Sequence, residues 1–153
     1  TLHWLDDHAT LFPRLRSYLA PGGVLAVQMP DNWNALTHRV PVEILDDGDW
    51  PEAARSALMR DRLSHPADYA AWVRPAEVDL WRTTYYQQLT GDDPVWTWVT
   101  GSVLRPVLAA LEGDQRRQFE TRCRARYAEA YPPRADGVTT LPFSRLFLVA
   151  KAG

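Results

Sequence analysis

The stretch GGVLAVQMPDNW, Gly22 to Trp33, decides the fold. A glycine pair turns the chain. Val24 to Met29 is then mostly aliphatic and too short for a typical helix, and it reads as a core strand with both faces buried, as in a parallel α/β sheet. Pro30 stops the run, and Asp31, Asn32 and Trp33 follow it. Ligands in open α/β sheets bind outside the carboxyl ends of the strands. A polar pair and an indole at that point are therefore placed to meet a ligand rather than to fill a core.

Upstream, Asp6 or Asp7 caps a helix in which Leu11, Phe12, Leu15 and Leu19 recur at helical spacing, and Pro21-Gly22-Gly23 ends it. Helix, tight turn and strand together read as the tail of a βαβ unit. Downstream, a helix is expected from Asn34 to about Leu45, with Pro41 placed to break it. Asp46-Asp47-Gly48-Asp49 forms a turn. Further helices are expected over Glu52–Leu63, Ala67–Val73, Pro94–Thr100, Val103–Leu111 and Asp114–Ala130. Two more strands are expected, VDLWRTTYYQQL (Val78 to Leu89) and FSRLFLVA (Phe143 to Ala150). In the first of these, Arg82, Thr84 and Tyr86 share one face and Trp81, Thr83 and Tyr85 the other. Three strands are few for an α/β domain, so part of the sheet is missing or another chain supplies it, and Val24 to Met29 is left with an unpaired edge.

Composition narrows the function classes. The chain has 153 residues, 46% apolar and 24% charged, with a formal net charge of -2. That is one domain by length and gives no general attraction for polyanions. The arginines at 116, 117, 122, 124 and 126 are interspersed with Glu112, Asp114, Glu120 and Glu129, and read as a solvated helix face rather than a nucleic-acid site. No apolar run approaches the roughly 20 residues of a membrane span. The single cysteine, Cys123, precludes an internal disulfide and fits a cytoplasmic protein. With Phe119 and Tyr127 it forms a core stripe, so it reads as a small buried hydrophobe. His3, His8, His38 and His65 have no metal-ligand spacing with it. The opening Thr1-Leu2-His3-Trp4 has no basic leader and reads as the interior of something longer.

Three segments together carry a resemblance. Leu2 to Trp33, with WRTTYY (Trp81 to Tyr86) and FSRLFLVAK (Phe143 to Lys151), resembles the C-terminal part of a class I S-adenosylmethionine-dependent methyltransferase. The combination VQMPDNW, WRTTYY, WVTGSVLRP and SRLF narrows it to the branch acting on trans-aconitate. The resemblance implies the fifth, sixth and seventh strands of a Rossmann-like sheet with an inserted helical cap. Residues 1–33, 76–90 and 142–153 would be the sheet portion, and 34–75 and 91–141 the cap or substrate region. It implies S-adenosylmethionine as cofactor, although the family's glycine-rich loop and its ribose-binding acid have no counterpart among these residues. It also implies methyl transfer to a carboxylate of a small polycarboxylic acid, giving a monomethyl ester.

That chemistry needs no general base, because a carboxylate is ionised at neutral pH. It needs orientation of the reacting atoms and a grip on the remaining carboxylates, which arginine provides best. The candidates are Arg82, Arg105, Arg145, Tyr85, Tyr86, Asn32 and Trp33 for substrate, and His3 and Trp4 for cofactor, with no catalytic acid or base and no metal. Each has a plainer reading. Arg82 reads equally as a surface strand arginine, whereas Arg145 reads more readily as the partner of a nearby Asp or Glu at a strand entry. Trp33 reads equally as the lid of a helix, His3 and Trp4 as a turn and a packing residue, and Gln28 as a strand residue satisfying buried backbone. Tyr85 and Tyr86 point to opposite faces, so at most one enters a site. The alternative functions are a non-catalytic ligand-binding or dimerisation module, pairing with a second copy through the open edge, and a methyltransferase for another di- or tricarboxylate.

Overall fold

The computed structural model describes residues 2–58 and 63–153. A single 3-10 turn, Leu2–Trp4, precedes helix α1 (His8–Ser17) and strand β1 (Val24–Pro30). Helices α2 (Leu36–Asp46), α3 (Glu52–Ser56) and α4 (Pro66–Trp72) lead to strand β2 (Ala76–Leu89). Helices α5 (Pro94–Thr100), α6 (Arg105–Ala109) and α7 (Gly113–Ala130) lead to strand β3 (Thr139–Ala152). The chain is thus α/β, with a three-stranded antiparallel sheet in the order β1-β3-β2. It divides into two compact units. The first is Thr1–Asp31, Asp61–Tyr85 and Phe143–Gly153, and the second is Asn32–Arg60 and Tyr86–Pro142.

In the first unit, Asp7 caps α1 by accepting the Thr10 backbone N–H at 3.2 Å. The turn into β1 needs glycine twice. Gly22 has φ +72°, and a Cβ on Gly23 would stand 2.8 Å from the Ala20 carbonyl oxygen. β1 pairs antiparallel with β3, from Val24 opposite Lys151 to Pro30 opposite Arg145. The Trp81–Phe147 ring stack and the Thr84–Ser144 hydroxyl contact set β2 on the other side of β3. Leu25, Val27 and Met29 share a face with Leu146, Leu148 and Ala150, and with Val78 and Leu80. That face is covered by Leu11 and Phe12 of α1 and by Tyr69, Trp72 and Val73 at α4.

The other face corrects the expectation that β1 is buried on both sides. Val24 is 54% exposed, and Ala26 and Gln28 are exposed with it. β1 alternates as a half-covered strand does, and its pairing with β3 is antiparallel. The aliphatic run misleads because Val24 and Ala26 are apolar without being covered. α4 packs with α1 on the sheet, whereas the sequence division put residues 34–75 in the cap.

In the second unit, α2, α3 and α5–α7 enclose a core of Val40, Ile44, Trp50, Val99, Leu104, Phe119 and Cys123 with their neighbours. Pro41 lies inside α2 and does not break it. A proline cannot donate to the carbonyl four residues back, which here belongs to Thr37. The Tyr127 hydroxyl of α7 donates to that carbonyl instead, at 3.1 Å and fully buried. The Trp50 indole likewise donates to the Ile44 carbonyl at 2.8 Å, at the C-terminal end of the same helix. Of the helix expected over Glu52–Leu63, α3 forms the first turn and ends at Ser56, and residues 59–62 lie outside the described residues. Both later strands begin earlier than expected, at Ala76 and Thr139.

Candidate functional site

At the end of β1 the ladder continues one residue beyond Pro30, where the Asp31 N–H donates to the Ser144 carbonyl at 2.9 Å. Strand alternation puts the Asp31 side chain on the face of Met29. Arg82, on β2, lies on the same face and reaches across β3, and its Nε donates to Asp31 Oδ2 at 2.5 Å. The Asp31 side chain is 18% exposed and that of Arg82 58%. The Thr84 and Ser144 hydroxyls meet beside them at 3.0 Å. Beneath this rim the Tyr69 hydroxyl is held above the usual tyrosine range, chiefly by burial, with the Asp31 charge nearby acting in the same direction.

Arg145 faces the other way. It shares the open face with Gln28, Phe147 and Trp81, donates from Nε to the Gln28 side-chain oxygen, and lies over the Phe143 ring at 5.4 Å. Its partner is an amide rather than the acid expected, and Gln28 satisfies this arginine rather than buried backbone. Arg82 and Arg145 are therefore on opposite faces of one sheet, and the structure does not bring them together. Tyr85 is 46% exposed. The aromatic pair of His3 and Trp4, with ring centroids 5.0 Å apart, leaves the indole 59% exposed.

The remaining candidates belong to the second unit. Asn32 is buried, at 6% exposure, and Trp33 packs its ring against His38 at 5.2 Å. His38 was not singled out for a site by sequence. Burial lowers it from 6.5 to about 4, and its Nδ1 stands 3.2 Å from the Thr37 hydroxyl, so at neutral pH it is an uncharged hydrogen-bonding group. Arg105 opens α6 ahead of Pro106, is exposed, and has no ion pair among the described residues. Tyr86 is 66% exposed.

Two partner residues were missed by sequence reasoning, Asp31 for Arg82 and Gln28 for Arg145. The signal for both was register. Once β1 and β2 are placed on either side of β3, an acid two residues past Met29 falls within reach of Arg82. The five arginines of α7 are each paired with a carboxylate: Glu120, Asp114, Asp47, Asp93 and Glu43 in turn. Burial pushes the Cys123 thiol up to about 12, which makes it a core group rather than a nucleophile. Among the described residues no cluster of metal-ligating side chains occurs, and no helix is long and apolar enough to cross a membrane.

No protein-family model matches the chain. Its similarity to curated proteins is nonetheless close and specific. It is 48% identical over 155 residues to the trans-aconitate 2-methyltransferase of Methylobacterium nodulans, covering 98% of this chain and 59% of that protein. It is 43% identical to the enzyme of that name from Methylobacterium radiotolerans, over 98% of this chain and 60% of the relative. For the Streptomyces coelicolor protein of the same name the identity is 44%, over 99% of this chain and 51% of the relative. The resemblance carried by VQMPDNW, WRTTYY and SRLF is borne out, and the chain spans about 59% of the length of the first of these trans-aconitate 2-methyltransferases.

Proposed function

We propose that the chain is part of an S-adenosylmethionine-dependent carboxyl O-methyltransferase that converts a small polycarboxylic acid, trans-aconitate first among the candidates, to its monomethyl ester. The observation that carries this reading is the 48% identity to a trans-aconitate 2-methyltransferase across 98% of the chain. The sheet supports it. β3 lies between β1 and β2, and β1 and β3 run antiparallel, as expected if β1 is the fifth strand of a Rossmann-like sheet and β2 and β3 are its sixth and seventh. On this reading the first unit is mostly sheet portion and the second the helical substrate region.

S-adenosylmethionine, when bound, supplies an electrophilic methyl group on a sulfonium. The residues present fit an edge of its site rather than the whole. Trp4 offers an exposed indole with the half-buried His3 ring against it, while the glycine loop and ribose-binding acid implied by the resemblance are not among these residues. The chain by itself is accordingly expected to be inactive. With that group bound, the acceptor would be a carboxylate oxygen that is already ionised at neutral pH, so no residue of the chain would need to take up a proton. The residues' task is to aim that oxygen and hold the other carboxylates. Arg82, exposed at the rim of the sheet, is the proposed clamp. Arg105, Asn32, Trp33 and Tyr86 are further substrate candidates, each tested by its own substitution, whereas Arg145 and Tyr85 lie on the opposite face of the sheet from Arg82 and are not proposed to share its site. A cytoplasmic location belongs to the same proposal, since the one cysteine is a buried, inert thiol.

The test is a methyl-transfer assay on the complete polypeptide with trans-aconitate, citrate and cis-aconitate, alongside calorimetric titration of S-adenosylhomocysteine into both that polypeptide and the 153-residue chain. Ester formation from trans-aconitate, with cofactor binding confined to the longer protein, is the expected result. Cofactor binding to neither would overturn the reading. One observation favours a second reading. β1 is the edge of the sheet among the described residues, and Val24 on it is 54% exposed, as an interaction module pairing with a second copy would have it. A stable dimer by light scattering, without cofactor binding, would select that reading.

A further inference from the structure

We infer that Asp31 is a positioning residue that aims the Arg82 guanidinium at a substrate carboxylate. The inference rests on the methyltransferase reading and deepens it. A guanidinium receives a carboxylate in one of two bidentate ways, side-on through Nε and one terminal nitrogen, or end-on through both terminal nitrogens. The Nε of Arg82 is taken by Asp31 Oδ2 at 2.5 Å. Arg82 makes no other hydrogen bond or ion pair among the described residues. The side-on fork is therefore closed and the end-on fork is presented outward, from a side chain 58% exposed.

Asp31 is built to hold that aim. Its own backbone is tied to Ser144 by the last rung of the β1–β3 ladder, and its side chain is 18% exposed. Without it, a long arginine at a strand end samples many rotamers, and ordering one costs binding free energy. The placement also has a cost, because a carboxylate beside Arg82 offsets part of its attraction for an anion. Charge alone therefore predicts that removing Asp31 tightens substrate binding, whereas orientation predicts that it loosens it. The opposite signs make the inference testable.

The experiment is a double-substitution cycle in the complete polypeptide, reading KM for trans-aconitate, kcat, and S-adenosylhomocysteine affinity. Asp31→Ala is expected to raise KM about 10-fold with kcat within about threefold, and Arg82→Ala to raise KM about 100-fold. The double substitution is expected to be no worse than Arg82→Ala alone, because Asp31 acts only through Arg82. Asp31→Asn keeps an acceptor oxygen and is expected to stay within about threefold of the wild type. If Asp31→Ala does not fold, Asp31→Ser replaces it in the cycle. An unchanged or lower KM in Asp31→Ala, or a double substitution worse than Arg82→Ala by the full Asp31→Ala factor, would overturn the inference while leaving the methyltransferase reading intact. A wild-type protein that binds S-adenosylhomocysteine but esterifies no polycarboxylate would overturn that reading, and the inference with it.

Discussion

The two units solve the problem of polar groups in opposite ways. In the first, the polar contacts that matter lie at the ends and on the open face of the sheet: Asp31 with Arg82, Thr84 with Ser144, Arg145 with Gln28. Away from those ends the covered face is lined with apolar side chains, and the Tyr69 hydroxyl set among them stands 2.7 Å from His8 Nδ1. In the second unit, polar groups are taken inside and paired there. Thr37, 3% exposed, lends its carbonyl to Tyr127, Trp50 donates to Ile44, and the half-buried His38 ring meets the Thr37 hydroxyl. A strand ends its polar pattern where its ladder ends. A helix containing a proline leaves a carbonyl mid-element, and the fold must bring a donor to it.

The largest effects are expected to be common to both units, and the smaller ones to separate them. Phe12, 0% exposed, packs edge-on to Tyr69 at 4.8 Å, and Phe119, also 0% exposed, packs edge-on to Trp50 at 5.8 Å. Phe12→Ala and Phe119→Ala are each expected to cost about 3–5 kcal/mol in urea unfolding. A loss below about 1 kcal/mol at either site would mean that its core closes without that ring.

pH is expected to act more on the second unit. His38 is lowered by burial from 6.5 to about 4, so between these values the unfolded chain binds the proton and the folded one does not. The contribution is fully present above pH 6.5 and is lost as pH falls toward 4. It amounts to at most about 3 kcal/mol from the size of the shift. Unfolding free energy measured at pH 7 and pH 4.5 should therefore differ less in His38→Gln than in the wild type. Equal pH dependence in the two proteins would show that His38 is hydrated in the folded state.

The Tyr127 hydroxyl tests the proline argument at a smaller scale. Burial raises it well above the ordinary tyrosine range, and it is the donor to the carbonyl that Pro41 leaves open. Tyr127→Phe should cost about 1–2 kcal/mol, because a buried acceptor loses its partner. Adding Pro41→Ala, which restores a backbone donor, should recover part of it. Additive behaviour of the two substitutions would sever the link between Pro41 and Tyr127.

The same comparison explains what could be read from the sequence. The helix ahead of Gly22-Gly23, the strands around Trp81 and Phe147, and the stripe of Phe119, Cys123 and Tyr127 follow from local spacing, and all formed. The site was half legible. Arg82 could be picked out by its apolar, aromatic surroundings, but Asp31 is its partner only through the register of three strands, 51 residues away in sequence. The Tyr127–Thr37 bond spans 90 residues, and no local pattern announces it. Coverage misled as well. Val24 and Ala26 are as apolar as buried residues, and nothing in their own sequence says which face a neighbour covers.

The smallest effect belongs to the charged surface of α7. Its arginines form a basic run in sequence, yet each meets a carboxylate, three of them on other segments and two within the helix. The Arg116–Glu120 pair is of the second kind, with Nε 3.0 Å from the carboxylate and the arginine half exposed. An exposed pair one helical turn apart gains little, because water and salt screen it and two long side chains must be ordered. Arg116→Ala should cost about 0.5 kcal/mol or less, and the loss should shrink further in 1 M salt, where the screening length falls to about 3 Å. A salt-independent loss of about 2 kcal/mol would mean that the arginine stem is packed rather than merely paired. The polar economy of the second unit would then extend from its interior onto its surface.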